Sequence, residues 1–165
     1  MTITEALKEL KLIMKKLDTN RNRITEYSSG LEKWKPHFET AEKQREEVAK
    51  LVQSNEDLVT NYMKMKQRID KTNLVVTLQF ADKTYTIAEL ILLKRLMGVE
   101  LERTYLSMNN NSAKTNRIVG AESSIPVLYY DERLKSEKLN SVQDLLGRVD
   151  GRLETINAVT EIVSE

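Results

Sequence analysis

The chain has 165 residues, of which 40% are hydrophobic and 31% charged, and its formal net charge is +1. This balance disfavours binding to duplex nucleic acid, which usually requires a basic excess. The lack of cysteine excludes disulfides and thiolate metal sites and fits a reducing compartment. The longest apolar run, Leu90–Leu93, is far shorter than the roughly 20 residues of a membrane span. We therefore expect one cytoplasmic domain over residues 1–165, without a membrane partner.

Residues 1–72 predict a helical hairpin. The first helix opens with a capping box formed by Thr2 and Glu5. Apolar residues then recur at alternating intervals of three and four, which is the spacing of a coiled-coil seam. Residues 27–30 and Pro36 predict the connecting loop. The predicted seam consists of Ile3, Leu7, Leu10, Met14, Leu17 and Ile24.

The second helix of the hairpin is predicted from about Thr40 to Thr72. Its single polar seam residue, Asn55, is of the kind that fixes register at some cost in stability. Because this helix is longer than the first, part of its seam is expected to face another chain or the C-terminal helix. The predicted seam consists of Val48, Leu51, Asn55, Leu58, Tyr62, Met65 and Ile69.

Residues 73–86 change to a β-branched pattern that predicts a short β-hairpin with its turn at 81–83. A second capping box, Thr86 with Glu89, then opens a helix over residues 87–108. The side chains expected to face inward on this helix are Ile87, Leu90, Leu93, Met97, Leu101 and Met108.

Residues 109–130 are polar and asparagine-rich, which predicts a functional or mobile loop with a brief extended piece at 125–130. Residues 131–165 predict a C-terminal helix in heptad register that includes Val163. Gly147 and Gly151 lie one turn apart within it and predict a close backbone approach by a neighbour. The predicted fold is mainly α: a long antiparallel helical bundle or coiled-coil hairpin with a small inserted β-hairpin.

Catalytic chemistry has little support in the sequence. His37 is the only histidine and, beside Pro36, is expected to be a surface residue. The metalloprotease, P-loop and dinucleotide-binding motifs do not occur. Most carboxylates are spaced three or four residues from a lysine or arginine, which is typical of solvated helix surfaces. We therefore expect no catalytic residues, no metal and no cofactor.

Three basic clusters are candidates for binding an anion, since a guanidinium offers paired donors to phosphate or carboxylate. Arg68, Thr72 and Asn73 close the second helix, where the helix dipole gives basic residues an alternative structural explanation. Arg148 and Arg152 are one turn apart on the C-terminal helix. The third cluster consists of Arg95, Arg103 and Arg117, which could equally be ordinary surface residues.

Two segments resemble the septicolysin-like family of small bacterial and phage proteins. The first reads Ile-Asp-Lys-Thr-Asn over 69–73, where the family reads approximately I-N-R-T-N. The second, over 148–161, is similar to R-x-L-D-x-x-I-Q-x-x-N-W-T-T-E, with Ala158 in place of the family's tryptophan. The resemblance implies no enzymatic activity. It singles out Thr72, Asn73, Asp150, Asn157, Thr160 and Glu161.

Two functions from different classes follow. In the first, the protein is a non-catalytic homodimer or higher oligomer that sequesters a small anionic, nucleotide-like ligand, as a phage-encoded sponge would. In the second, it is a structural or assembly protein of a phage particle or other complex and binds no small molecule. The predicted ligand-binding residues are Arg68, Thr72, Asn73, Arg95, Arg103, Arg117, Arg148, Arg152 and Asn157.

Overall fold

A computed structural model of the chain describes residues 1–33, 35–115 and 127–164. These residues group into two separately packed units. The first contains residues 1–75 together with the C-terminal residues from Asn157, and the second contains residues 76–156. The fold is mainly α with one small antiparallel sheet, as predicted. Among the described residues, no helix combines the length and apolar composition needed to cross a membrane.

The first unit is built on an antiparallel hairpin of α1 (Ile3–Tyr27) and α2 (Ala41–Val75). The predicted capping box is present: the Glu5 backbone N–H donates to Thr2 Oγ1 at 3.2 Å, and the Thr2 backbone N–H donates to Glu5 Oε2 at 2.9 Å. Helix α2 continues past the predicted end at Thr72. Each residue added to a long helix gains a hydrogen bond without a new nucleation cost, so the local β-branched pattern does not end it.

The predicted seam is confirmed on α2 and is wrong at two of its six positions on α1. On α2, Leu51 and Ile69 are buried, and the other predicted positions are half-buried. On α1, Leu7 and Met14 are 39% and 43% exposed. The residues buried on α1 are instead Ile3, Ala6, Leu10 and Ile13. The predicted and the observed sets of residues are both spaced three and four apart. In the structure α1 turns towards α2 the face that contains the small Ala6.

A polar contact within the hairpin sets the pairing of α1 with α2. The Asn20 side chain donates from Nδ2 to Asn55 Oδ1 at 2.9 Å, and the same nitrogen lies 3.3 Å from Ser54 Oγ. Asn55 therefore has a specific partner inside the chain. Shifting one helix against the other by a turn would break this bond inside a partly buried seam, which agrees with the predicted register-fixing role.

We expect Asn55→Leu alone to lower the free energy of unfolding by about 0.5–1.5 kcal/mol, because it leaves the Asn20 amide with only Ser54. The double variant Asn20→Leu/Asn55→Leu replaces both partners and is expected to be near neutral or stabilising. Chemical denaturation of the three proteins measures this. A double variant that is less stable than Asn55→Leu would contradict the assignment of these residues as a simple pair.

The second unit begins with a β-hairpin of β1 (Thr77–Phe80) and β2 (Lys83–Thr86). Ala81 and Asp82 form its turn with positive φ angles of 46° and 64°. Positive angles at both central residues are those of a type I′ turn, which matches the twist of the strands. The prediction that the β-hairpin starts at residue 73 was wrong, because residues 73–75 still belong to α2.

The helix predicted over 87–108 is divided into α3 (Ile87–Leu93), a π-helical segment (Lys94–Leu101) and α4 (Glu102–Ser107). Its predicted inward residues are buried or half-buried. The capping box at Thr86 is present. Two hydrogen bonds to the Glu89 carboxylate lower its pKa, the stronger effect coming from the Thr86 backbone N–H and the weaker one from the Thr86 hydroxyl. The π-helical segment was not predicted, because an apolar spacing of three and four is the α-helical period and π-helices are rare.

Two further elements of the second unit differ from the predicted ones. The predicted loop 109–130 includes a short helix, α5 (Asn111–Thr115), and residues 127–130 form no strand. Helix α6 (Glu132–Val159) ends before the predicted position 165, so Val163 is not a helix residue. The cause is competition for hydrogen bonds, because the residues after α6 pair with the start of α1.

The π-helical segment and α6 lie antiparallel in the second unit. Lys94 Nζ is 2.5 Å from Asp150 Oδ1, and Gln143 Nε2 donates to Glu102 Oε1 at 3.4 Å. Between these contacts, a Cβ placed on Gly98 would lie 2.6 Å from Leu146 Cδ2. Gly98 is therefore a point of close approach.

The prediction of close approach at Gly147 and Gly151 is not supported within the described residues. A Cβ on either would meet no heavy atom within 4 Å.

Candidate functional site

The C-terminal segment, residues 160–164, is held against the ends of both hairpin helices. The Ile3 backbone N–H donates to Thr160 O at 2.9 Å, and the Ile162 N–H donates to Met1 O at 3.0 Å. Thr2 and Glu161 form an isolated antiparallel bridge. Ile162 is buried. These contacts give residues from the two ends of the sequence a shared structural role.

Arg68 and Thr72, both predicted to bind a ligand, hold this C-terminal segment. The Val163 backbone N–H donates to Thr72 Oγ1 at 2.9 Å, and the Thr72 hydroxyl donates to Arg68 O at 2.8 Å. Arg68 Nε in turn donates to Val163 O at 2.8 Å. Thr72 is completely buried. Their observed partners are thus all within the chain.

Asn73 and Asn157 lie in the same unit, and each has a buried amide oxygen with no hydrogen-bond partner among the described residues. An unsatisfied buried acceptor costs about 1–3 kcal/mol. An amide oxygen accepts hydrogen bonds, so it attracts an N–H or O–H group and repels a phosphate oxygen. The two oxygens therefore do not form an anion site by themselves.

The candidate arginines of the second unit are dispersed. Arg148 lies over the Phe80 ring, 5.5 Å from its centroid, and Arg103 pairs with Glu100 at 3.7 Å. Arg95 and Arg152 are exposed. Exposed ion pairs of this kind contribute little to stability.

The remaining sequence candidates add no cluster. Asp150 pairs with Lys94, while Arg117 lies outside the described residues. Within the described ranges, no group of three or more histidine, aspartate or glutamate side chains is placed to hold a metal ion. Capture of a nucleotide-like anion by these residues stays a prediction.

A cavity of about 1040 Å³ lies at the loop that joins α1 to α2. Its lining includes the cationic side chains of Lys35 and Arg45 and also His37, which is exposed as predicted. Acidic neighbours offset these charges, since Glu42 Oε1 is 3.5 Å from Arg45 and Glu26 Oε1 is 3.8 Å from His37 Nδ1. This balance disfavours a strongly anionic ligand.

The hairpin carries two further cavities, of about 480 and 730 Å³, along the junction of α1 and α2. Met14 lines both, so they form one elongated depression, here named the hairpin groove. Most of its wall is apolar. The apolar residues that line it are Leu7, Leu10, Met14, Leu17, Ile24, Val52, Val59 and Tyr62.

The rotation of α1 leaves two of its large apolar side chains outside the seam, and they become part of the hairpin groove. Leu7 and Met14 were predicted to face α2, and they instead form the groove with Val52 and Val59, which are 42% and 47% exposed. On both helices the pair is spaced by seven residues, or two helical turns. The groove was missed as a site, although the excess of apolar residues over one seam was the available signal.

Comparison of the chain with protein-family models, with curated proteins and with solved structures finds no significant match. The hairpin groove is the candidate site on physical grounds, because it is a largely apolar surface that spans both helices of the hairpin.

Proposed function

We propose that the protein is a non-catalytic assembly protein that associates with copies of itself through the hairpin groove. The observation that supports this function best is the extent of the groove, which runs from Leu7 to Ile24 on α1 and exposes mainly apolar surface. Single exposed apolar residues are common on protein surfaces, whereas contiguous apolar patches mark interaction sites.

The energy available in this surface supports association. Complete burial of one Leu, Met or Val side chain contributes about 1.5–3 kcal/mol. Leu7, Met14, Val52 and Val59 are each about two-fifths exposed, so a partner that covers them gains part of that amount at each position. Together with the flanking atoms, this is a contribution of several kcal/mol, which is of the size that an oligomer needs to offset its ordering costs.

The shape of the groove favours a helical partner over a small molecule. Small-molecule pockets combine an apolar wall with a few convergent polar groups that fix the orientation of a ligand. The polar residues along the groove, such as Lys11 and Glu56, instead lie in a row along its length. An apolar stripe with charges along its sides is the pattern by which helices recognise one another.

We expect the wild-type protein to have at least twice the monomer mass of 19.1 kDa in solution, and Met14→Glu to reduce it to the monomer mass. A carboxylate in a closed apolar interface loses its hydration without gaining a partner. Light scattering after size-exclusion chromatography measures the mass, and circular dichroism checks that the variant remains helical.

Leu12→Glu is the matched control, because Leu12 is 53% exposed on the same helix and does not line the groove. It is expected to keep the wild-type mass. A wild-type protein that remains at 19.1 kDa at every concentration would overturn the proposed function. Equal dissociation by the two variants would place the contact surface elsewhere.

A further inference from the structure

We infer that two copies of the chain join their hairpin grooves in an antiparallel, two-fold arrangement that forms a four-helix bundle. This inference rests on the assembly proposed above and specifies its partner, orientation and register. It is carried by three observations: the extent of the groove, the seven-residue spacing of its apolar residues, and the uneven distribution of charge along it.

The groove is large enough for a specific interface. From Leu7 to Ile24 it extends over about 26 Å of helix at roughly 1.5 Å per residue. Two adjacent helices, each about 10 Å wide, give a face of roughly 500 Å² per copy. Two such faces bury roughly 1,000 Å² in total, which reaches the lower limit of specific protein–protein interfaces.

The spacing of the apolar residues fits a bundle of four helices. A two-stranded coiled coil needs one narrow seam and usually carries charged residues beside it. Here α1 has Leu7 and Met14 beside its buried seam, and α2 has Val52 and Val59. Helices with a broader apolar stripe pack against two neighbours, as in four-helix bundles.

The charges along the groove favour the antiparallel orientation. The end near Leu7 is lined by three lysines and one aspartate, namely Lys11, Lys15, Lys66 and Asp18. Lys66 pairs with Asp70 and Asp18 with Arg21, so the net charge of this end is still positive. A parallel pairing would bring the lysine-lined ends of the two copies together, and like charges that face each other disfavour association.

The opposite end of the groove carries the acidic counterpart. Glu56 lines it together with Arg21, whose charge is offset by an ion pair with Asp18. An antiparallel pairing brings Lys11 of one copy to the end that contains Glu56 of the other. A two-fold interface repeats this contact, so one complementary pair of residues is used twice.

The register follows from the position of Met14. Met14 lines both parts of the groove and therefore lies near its middle. The two-fold axis, which places each end of the groove against the opposite end of the second groove, passes close to Met14. Met14 then faces Met14 of the second copy, and Leu7 faces the end that contains Val52. A parallel two-fold arrangement keeps each residue at the same height along the helices as its own copy, so Leu7 would lie at the same end as Leu7 of the second copy and far from Val52.

The absence of cysteine allows each position to be tested alone, in the full-length chain. We would introduce Met14→Cys, Leu7→Cys, Val52→Cys and the off-groove control Leu12→Cys separately, and treat each with a short thiol cross-linker. Met14→Cys is expected to form a covalent dimer efficiently. Leu7→Cys is expected to cross-link to Val52→Cys when the two variants are mixed, but hardly to itself. Leu12→Cys is expected to form no cross-linked dimer, alone or in a mixture.

Charge exchange is the second measurement. Glu56→Lys is expected to weaken the dimer by about two- to thirtyfold, because the exposed ion pair occurs twice in the interface, and adding Lys11→Glu is expected to restore the affinity. Failure of the second substitution to restore it would overturn the antiparallel register.

The remaining outcomes separate the inference from the proposed function. If Leu7→Cys cross-links to itself as efficiently as Met14→Cys cross-links to itself, the antiparallel geometry is overturned and the assembly function still stands. A monomeric wild-type protein in which no position cross-links would overturn both.

Discussion

Replacing Thr72 with valine is expected to lower the free energy of unfolding by about 1–3 kcal/mol. Valine preserves the size of the side chain and removes its hydroxyl. The Val163 N–H then loses its acceptor, and the hydroxyl bond to Arg68 O disappears as well. Because Thr72 is completely buried, water cannot replace these partners without opening the C-terminal segment.

Thermal denaturation measures the loss, which for a chain of this length corresponds to a shift of about 2–4 °C in Tm for each kcal/mol. Thr72→Ser is the matched control, because it keeps the hydroxyl and removes one methyl group, worth about 0.8 kcal/mol. Hydrogen exchange separates the two variants: the Val163 amide is expected to lose protection in Thr72→Val and to keep it in Thr72→Ser. Equal protection in both would show that the hydroxyl does not hold this segment.

The role of Thr72 also marks where sequence reasoning succeeded and where it stopped. Arg68 and Thr72 at the end of α2 were predicted to bind a ligand. Their partner in the structure is Val163, more than ninety residues later in the chain. A helix pattern reports which residues share a face of that helix, and it carries no information about which distant segment occupies that face.

The two hairpin helices differ in the same way. The α2 seam could be predicted because its larger apolar residues form one coherent three-four series. On α1 two such series overlap, and the larger side chains of Leu7 and Met14 favoured the wrong one. Ala6 is completely buried. A small residue at the contact allows the helices to approach closely, and this packing gain depends on both helices together.

Glycine gave the clearest reversal of expectation. Gly147 and Gly151 attracted attention through their spacing, yet no described residue comes within 4 Å of a Cβ placed on either of them. Gly98, which has no partner glycine, lies against Leu146. Close approach depends on which residue of the neighbouring helix lies opposite, and spacing along one helix does not determine that.

The last prediction follows from this contact. Gly98→Val is expected to destabilise the protein by about 1–3 kcal/mol through overpacking. A Cβ at this position would lie 2.6, 3.0 and 3.3 Å from Cδ2, Cδ1 and Cγ of Leu146, so the whole end of that side chain must move. Gly147→Val is the matched control. A Cβ on Gly147 meets none of the described residues within 4 Å and valine has the higher helix propensity, so Gly147→Val is expected to be neutral or slightly stabilising.

A double variant tests whether Leu146 is the cause. Leu146→Ala removes the atoms that the new side chain would meet, so Gly98→Val/Leu146→Ala is expected to be more stable than the sum of the single effects by about 0.5–3 kcal/mol. Chemical denaturation of the wild type, the two single variants and the double variant gives this coupling energy. Simple additivity would mean that the cost of Gly98→Val arises in the π-helical backbone itself. In that case glycine is required at position 98 by the π-helical backbone geometry and not by the close approach of α6.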